Sequence, residues 1–198
     1  MPGIYLASKS PRRKEILESL EVDYKVLNYP HDESSPANSE SAFEFIERNT
    51  KEKSLSAFAY LQENEMQILP ILTADTLVSL DDRIFGKPDN KDHAISMLLE
   101  LSGQYHSVIS CVAIGVLDKT KSDTVNFNID IVETKVLFKT LTAYECKKYW
   151  ETKEPIDKAG SYGIQGVGET FVEQIIGSHS NVVLSLIHIS EPTRHTDI

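Results

Sequence analysis

The chain has 198 residues, of which 40% are hydrophobic and 25% charged, and its formal net charge is −10. That length suits one α/β domain, or two small lobes around a cleft. The acidic balance argues against a nucleic acid polymer as partner, while leaving room for a small anion held by a local basic cluster. No apolar run is long enough for a membrane span, and the N-terminus does not read as a signal peptide. Cys111 and Cys146 lie far apart without metal-type spacing, so a reduced, cytoplasmic protein is expected.

In chain order, Ile4–Ala7 reads as a short apolar strand leading into a helix over Pro11–Leu20. Ser10 and Pro11 mark its cap and first position, and Ile16, Leu17 and Leu20 recur at helical spacing. A strand over Asp23–Asn28 precedes a polar loop from Pro30 to Ser39 that carries Asp32 and Glu33. A long helix, roughly Glu40–Leu61, is expected to bury Phe43, Ile46, Leu55, Phe58 and Ala59. Ile68–Leu72 reads as a buried strand, with Pro70 hinting at an edge or bulge, and it is expected to end at Thr73-Ala74-Asp75-Thr76. Leu77–Leu80 and Arg83–Phe85 read as a hairpin turned at Asp81-Asp82. Lys91–Leu101 is amphipathic, with Ala94, Met97, Leu98 and Leu101 on one face. Two long strands are expected at His106–Leu117 and Val125–Phe138, then a helix over Thr142–Glu151 with Thr142 and Glu145 as a capping box. Pro155–Gly168 is rich in glycine and polar residues, as suits a loop lining a site. Residues 1–183 read as a single domain, and 184–198 as an atypical tail that continues no upstream pattern and is a candidate for non-native sequence.

Arg12 and Arg13 sit in the first turn of the first helix, where the dipole already favours anions. Cations stacked there call for a strongly anionic ligand such as a phosphate chain, gripped by backbone N–H groups, the Ser8 and Ser10 hydroxyls and the guanidinium forks. Asp75, at an expected strand end, suits a general base or a metal-holding carboxylate, the alternative being an aspartate that caps its own turn. Lys87, in Gly86-Lys87-Pro88, and Lys53, in the long helix, each read alone as surface lysines but are candidate charge neutralisers beside an anion. Glu33 is a second loop carboxylate able to share a Mg²⁺ with Asp75 and substrate phosphates. Gln165, set among glycines, carries a donor and an acceptor that suit the edge of a nucleobase, unless the stretch is an ordinary solvated turn. Together these fit hydrolysis of a nucleoside triphosphate by a protein without a P-loop.

Six blocks carry a family resemblance: Leu6-Ala7-Ser8-Lys9-Ser10-Pro11-Arg12-Arg13, Thr73-Ala74-Asp75-Thr76, Gly86-Lys87-Pro88, Leu101-Ser102-Gly103-Gln104-Tyr105-His106, Lys158 through Gly166, and Gly177-Ser178-His179-Ser180-Asn181-Val182-Val183. From Ile4 to about Val183 the chain resembles the Maf family of nucleoside triphosphate pyrophosphatases. The resemblance implies a two-lobed α/β fold like that of inosine triphosphate pyrophosphatases, with a mixed sheet and a central cleft. It implies cleavage between the α- and β-phosphates with Mg²⁺ or Mn²⁺, and a homodimer. Asp75 falls on the family's proton acceptor, and Arg12, Thr76 and Gln165 fall on its substrate-selecting positions. Arg13, Glu33, Lys53 and Lys87 match its other polar cleft positions. Ile164-Gln165-Gly166 is similar to the branch acting on dTTP and UTP, the alternative being a branch acting on 7-methyl-GTP or another modified nucleotide. A nucleotide-binding regulator of cell division with little turnover is the competing class. Lys9 stands where the family usually has Gly, and Ser110 where it has Thr; neither change disables the expected site.

Overall fold

Strand β1 (Ile4–Leu6) lies between β2 (Tyr24–Val26) and β3 (Ile71–Leu80) and runs parallel to both. The computed structural model describes residues 3–178 except 33, 82, 119, 121–123 and 165. Helix α1 (Pro11–Ser19) connects β1 to β2, and helix α2 (Ala42–Glu63) connects β2 to β3. The remaining strands are antiparallel: β4 (Arg83–Phe85), β5 (Tyr105–Asp118), β6 (Thr124–Phe138) and β7 (Val172–Ile176). The sheet order is β2-β1-β3-β5-β6-β7, with β4 also beside β3. Helices α3 (Lys91–Leu101) and α4 (Ala143–Glu151) complete the regular elements.

Because side chains alternate along a strand, β3 serves two layers. Leu77 and its neighbours Ile109 and Cys111 pack under Phe45 and Ile46 of α2. On the opposite face, Leu72 and Ala74 pack with Leu6 and with Leu17 of α1. Further along that face, Val78 joins a larger cluster containing Leu98 of α3, Tyr149 of α4, Val136 and Phe138. One face of the sheet thus carries two separate helical layers, and Thr76 falls between them by strand alternation. This mixed sheet with a lobe at each end has the architecture expected from the sequence.

The elements differ from expectation at three places. The run expected to break at Thr73–Thr76 continues as one ten-residue strand, with Pro70 just outside it, its carbonyl accepting Tyr5 N–H at 2.8 Å. In α2 the buried stripe is Phe45, Ile46, Asn49, Thr50, Ser54, Ala57, Phe58 and Leu61, whereas Phe43 (43%) and Leu55 (47%) are exposed, as is Ala59. Polar residues on the buried side mislead a purely apolar reading. Strand β7 was not anticipated; it pairs along 135–138 of β6, close behind the Gly-rich stretch. That stretch is a chain of short 3-10 turns, Glu154–Asp157, Ala159–Ser161 and Val167–Phe171. Capping is as the residue types demand: Thr142 and Glu145 form a capping box on α4, and Ser41 and Glu44 form another on α2. Ser10 occupies the cap position of α1 in extended conformation, but its side chain makes no capping bond. No helix among the described residues is long and apolar enough to cross a membrane.

Candidate active site

Strand β5 pairs with 71–79 along one edge of β3. The other edge is shared: β1 takes 71–72 and β4 takes 78–80. Residues 73–77 therefore face a notch with no strand beside it among the described residues. The chain leaves β1 at this notch, where Ala7 N–H donates to Leu72 C=O at 2.9 Å, and α1 starts there. Asp75 was expected at a strand end but lies mid-strand. The notch gives it the access to ligand that a strand end normally provides.

Asp75 is tightly held. Its Oδ2 accepts Lys53 Nζ at 2.8 Å and Asn49 Nδ2 at 2.5 Å. Its Oδ1 accepts the N–H of Thr76 at 3.0 Å, a strand donor that faces the notch. Asn49 and Lys53 are four residues apart, so consecutive turns of α2 present them together. The Lys53 side chain is only 12% exposed, which overturns the surface reading of it taken alone. The Tyr29 hydroxyl donates to Lys53 C=O at 2.7 Å, and Thr73 Oγ1 donates to Thr50 C=O at 3.3 Å, so α2 is fastened to the strand and to the loop after β2.

Ser8 Oγ accepts Arg13 Nη1 at 2.9 Å and Ser10 N–H at 3.2 Å, which folds the loop between β1 and α1 back on the helix start. Burial pulls the Arg13 guanidinium below its ordinary pKa, and the nearby negative charge of Asp75 works against that shift. Arg12 and Ser10 are half-buried, and Arg12 makes no hydrogen bond or ion pair among the described residues. Thr76 Oγ1 and Ser110 Oγ are 2.9 Å apart on the face opposite Asp75, so the Ser110 hydroxyl takes part in the site's floor. Lys87 is exposed beyond β4; the preceding Gly86 C=O accepts Gly160 N–H at 3.0 Å, tying the lysine's turn to the Gly-rich loop. Glu33 and Gln165 lie outside the described residues. The loop around Glu33 is anchored: Arg48 bridges Glu40 at 2.7 Å and Glu52 at 3.0 Å, and Ser34 Oγ donates to Glu52 at 2.5 Å.

The structure thus gathers Ser8, Arg13, Lys53 and Asp75 around the notch, with Thr76 beneath and Lys87 on the neighbouring lobe. Asn49 was not anticipated. Its only sequence signal is a polar residue one turn before Lys53, on the face that also carries Thr50 and Ser54. For a divalent metal, no group of three His, Cys, Asp or Glu side chains converges among the described residues. Asp75 Oδ1, with one N–H partner, keeps a lone pair for a cation, whereas Oδ2 is filled by two donors. That donor set fits Mg²⁺ arriving with a polyphosphate, since this ion takes few protein ligands.

The sequence matches the model of the Maf family, described as Maf-like protein, over residues 3–192, past Val183 and into the stretch set aside as a tail. A dTTP/UTP pyrophosphatase of Aliivibrio fischeri is 39% identical over 180 residues, covering 91% of this chain and 90% of its own. One from Desulfotalea psychrophila is 42% identical over 181 residues, covering 91% and 87%, and one from Yersinia pestis is 39% identical over 196 residues, covering 98% and 93%. Among solved structures, the Ham1 protein of Staphylococcus aureus aligns at a TM-score of 0.45 with 11% identity, over 94% of this chain and 96% of that one. A HAM1 protein from Coxiella burnetii aligns at 0.41 with 16% identity, over 83% and 89%. On the strength of the match along its length and of relatives this similar, the chain belongs to the Maf family.

Proposed function

We propose that the chain is a nucleoside triphosphate pyrophosphatase that converts dTTP and UTP to the monophosphate and pyrophosphate. The observation that carries this reading is the Asp75 carboxylate, fixed by Lys53 and Asn49 in a notch that opens beside the cationic start of α1. The relatives named dTTP/UTP pyrophosphatase support the substrate class.

The triphosphate lies along the start of α1, where free N–H groups and the helix dipole favour anions. Arg12, uncommitted to any described partner, and Arg13, pre-set by Ser8, meet its charge, and Lys87 reaches it from the other lobe. With Oδ2 occupied, Asp75 Oδ1 takes the proton of the attacking water. The new bond forms at the α-phosphorus, the bond to the bridging oxygen breaks, and pyrophosphate leaves with the electron pair. The cations stabilise that leaving charge, and burial makes Arg13 more effective than it would be in water. A divalent metal, Mg²⁺ or Mn²⁺, would be held by the carboxylates of Asp75 and Glu33 together with the substrate phosphates, and would supply charge neutralisation and Lewis acidity there. Thr76 lines the floor, and Gln165 reads the base edge. The same reading gives the enzyme a cytoplasmic location and a homodimeric state.

The test is pyrophosphate release across common and modified triphosphates, with and without Mg²⁺ or Mn²⁺, for the wild type and Asp75→Asn. The wild type should favour UTP and dTTP. The variant should lose about 10²–10⁴-fold in turnover, the usual worth of a general base. UTP hydrolysis by Asp75→Asn at the wild-type rate would remove the basis of this mechanism.

A further inference from the structure

We propose that Glu154 is a positioning residue that sets nucleobase selectivity, by holding the backbone on the far side of Gln165; this rests on the reading of the Gly-rich loop as the base-recognising segment. Glu154 sits at the start of the first 3-10 turn after α4. Its Oε1 accepts Val167 N–H at 3.0 Å and its Oε2 accepts Gly168 N–H at 3.3 Å. It forms no ion pair among the described residues; besides these two successive N–H groups, its carboxylate meets the Tyr149 hydroxyl. Bonds to an ionised acceptor are roughly twice as strong as neutral ones. The carboxylate also presses on Gly166, where an added Cβ would stand 2.6 Å from Oε1 and where φ is +93°. Only glycine fits there, in backbone conformation and in space.

The near side of the segment is fixed through Tyr149 and Tyr162. Gly163 N–H donates to the Tyr149 hydroxyl at 3.0 Å, and Tyr149 is 1% exposed in the core. The Tyr162 hydroxyl meets His106 Nε2 at 2.8 Å. The described backbone is therefore held both before and after position 165. The near side is embedded in the packed core; on the far side the half-buried carboxylate of Glu154 holds the first two N–H groups of the turn, whose end is fixed by Phe171, 3% exposed in the core. The bonds of Glu154 run to Val167, Gly168 and Tyr149, and none of them involves Ser8, Arg13 or Asp75. Losing it should loosen discrimination between bases before it affects phosphate chemistry.

The experiment measures kcat/KM for UTP and for GTP in Glu154→Gln, which keeps the side-chain shape but replaces one acceptor oxygen with a donor that opposes an N–H. The UTP-to-GTP ratio should fall about tenfold, as expected for losing a charge-assisted bond that orders a binding group. Tyr149→Phe, which removes both the acceptor for Gly163 and the hydroxyl that bonds Glu154, should shift the ratio in the same direction and serves if Glu154→Gln does not fold. Glu154→Asp, which keeps the charge, should recover part of the ratio. A lowered melting temperature with the ratio unmoved would make Glu154 merely structural and overturn the proposal. Gln165→Ala separates the two levels. A shift there without one in Glu154→Gln overturns the positioning role alone. A shift in Glu154→Gln without one in Gln165→Ala upholds Glu154 and removes base reading from Gln165. No shift in either overturns both.

Discussion

Replacing His106 by glutamine should flatten the acid-induced loss of stability between about pH 6.5 and about pH 4. His106 is 2% exposed on β5, between the rings of Phe138 at 4.7 Å and Tyr162 at 5.4 Å. Burial pushes its pKa down from 6.5 to about 4, with a smaller opposing contribution from the Gln104 backbone. A histidine depressed in this way is neutral in the folded protein while the unfolded chain takes up a proton at the ordinary pKa. Its penalty is absent above about pH 6.5 and grows as pH falls, reaching full size below about pH 4. At 1.36 kcal/mol per unit, that difference corresponds to about 3 kcal/mol, a large share of a typical domain's stability. The carboxyl of Glu40 is held at about 2 by Arg48 and the Ala37 N–H. It begins to lose its stabilising effect near its ordinary value of 4.5, so it touches only the acid end of this window and does so equally in both proteins. Urea midpoints of the wild type and His106→Gln, taken from about pH 7 to about pH 4, should converge or cross as acid is added. Glutamine keeps a partner for the Tyr162 hydroxyl without gaining a charge. Two parallel pH profiles would refute the reasoning, because the titrating group would then lie elsewhere.

Lys53→Met should lower kcat for UTP more than it raises KM, because Lys53 contacts Asp75 rather than open solvent; a pure KM effect in steady-state kinetics would assign the lysine to substrate binding instead. Gly168→Ala should destabilise by about 1–3 kcal/mol or more in a thermal melt, since the new Cβ would stand 2.2 Å from Gly163 C=O, and an unshifted melt would contradict that packing. Cys111, whose thiol is pushed up to about 11 by burial, should resist a thiol-specific dye near neutral pH in the folded enzyme and react once it is unfolded. Rapid native labelling, mapped to Cys111, would contradict its position under α2.

Much of this fold can be read from local chemistry. Helix α3 begins and ends where its apolar spacing says, and the capping box of Thr142 and Glu145 fixes the start of α4. Reading fails where the site intrudes on the core. Asn49, Thr50 and Ser54 occupy the buried side of α2 because that side grips β3, so an apolar stripe drawn without them lands on exposed Phe43 and Leu55. Thr73 and Asp75 look like the end of a strand because they are polar; in fact they are satisfied by α2 and by Thr76 N–H, and the strand continues. The cations at α1 are legible because they contradict the helix dipole. Asn49 and Glu154 leave no comparable contradiction. Their importance lies in partners distant in sequence, Asp75 and the backbone of Val167 and Gly168.

Strands β3, β5 and β6 pass unbroken from one helical layer to the other, and Asp75 rides on the first of them. The proposed general base is thereby mounted on a stiff keel shared by both halves, and a jaw-like bending of one half against the other would have to break ladder bonds on either side of it. On that reading, whatever movement admits a nucleotide and lets pyrophosphate depart falls to the coil segments along the rim, while the Asp75 carboxylate keeps its place on the sheet.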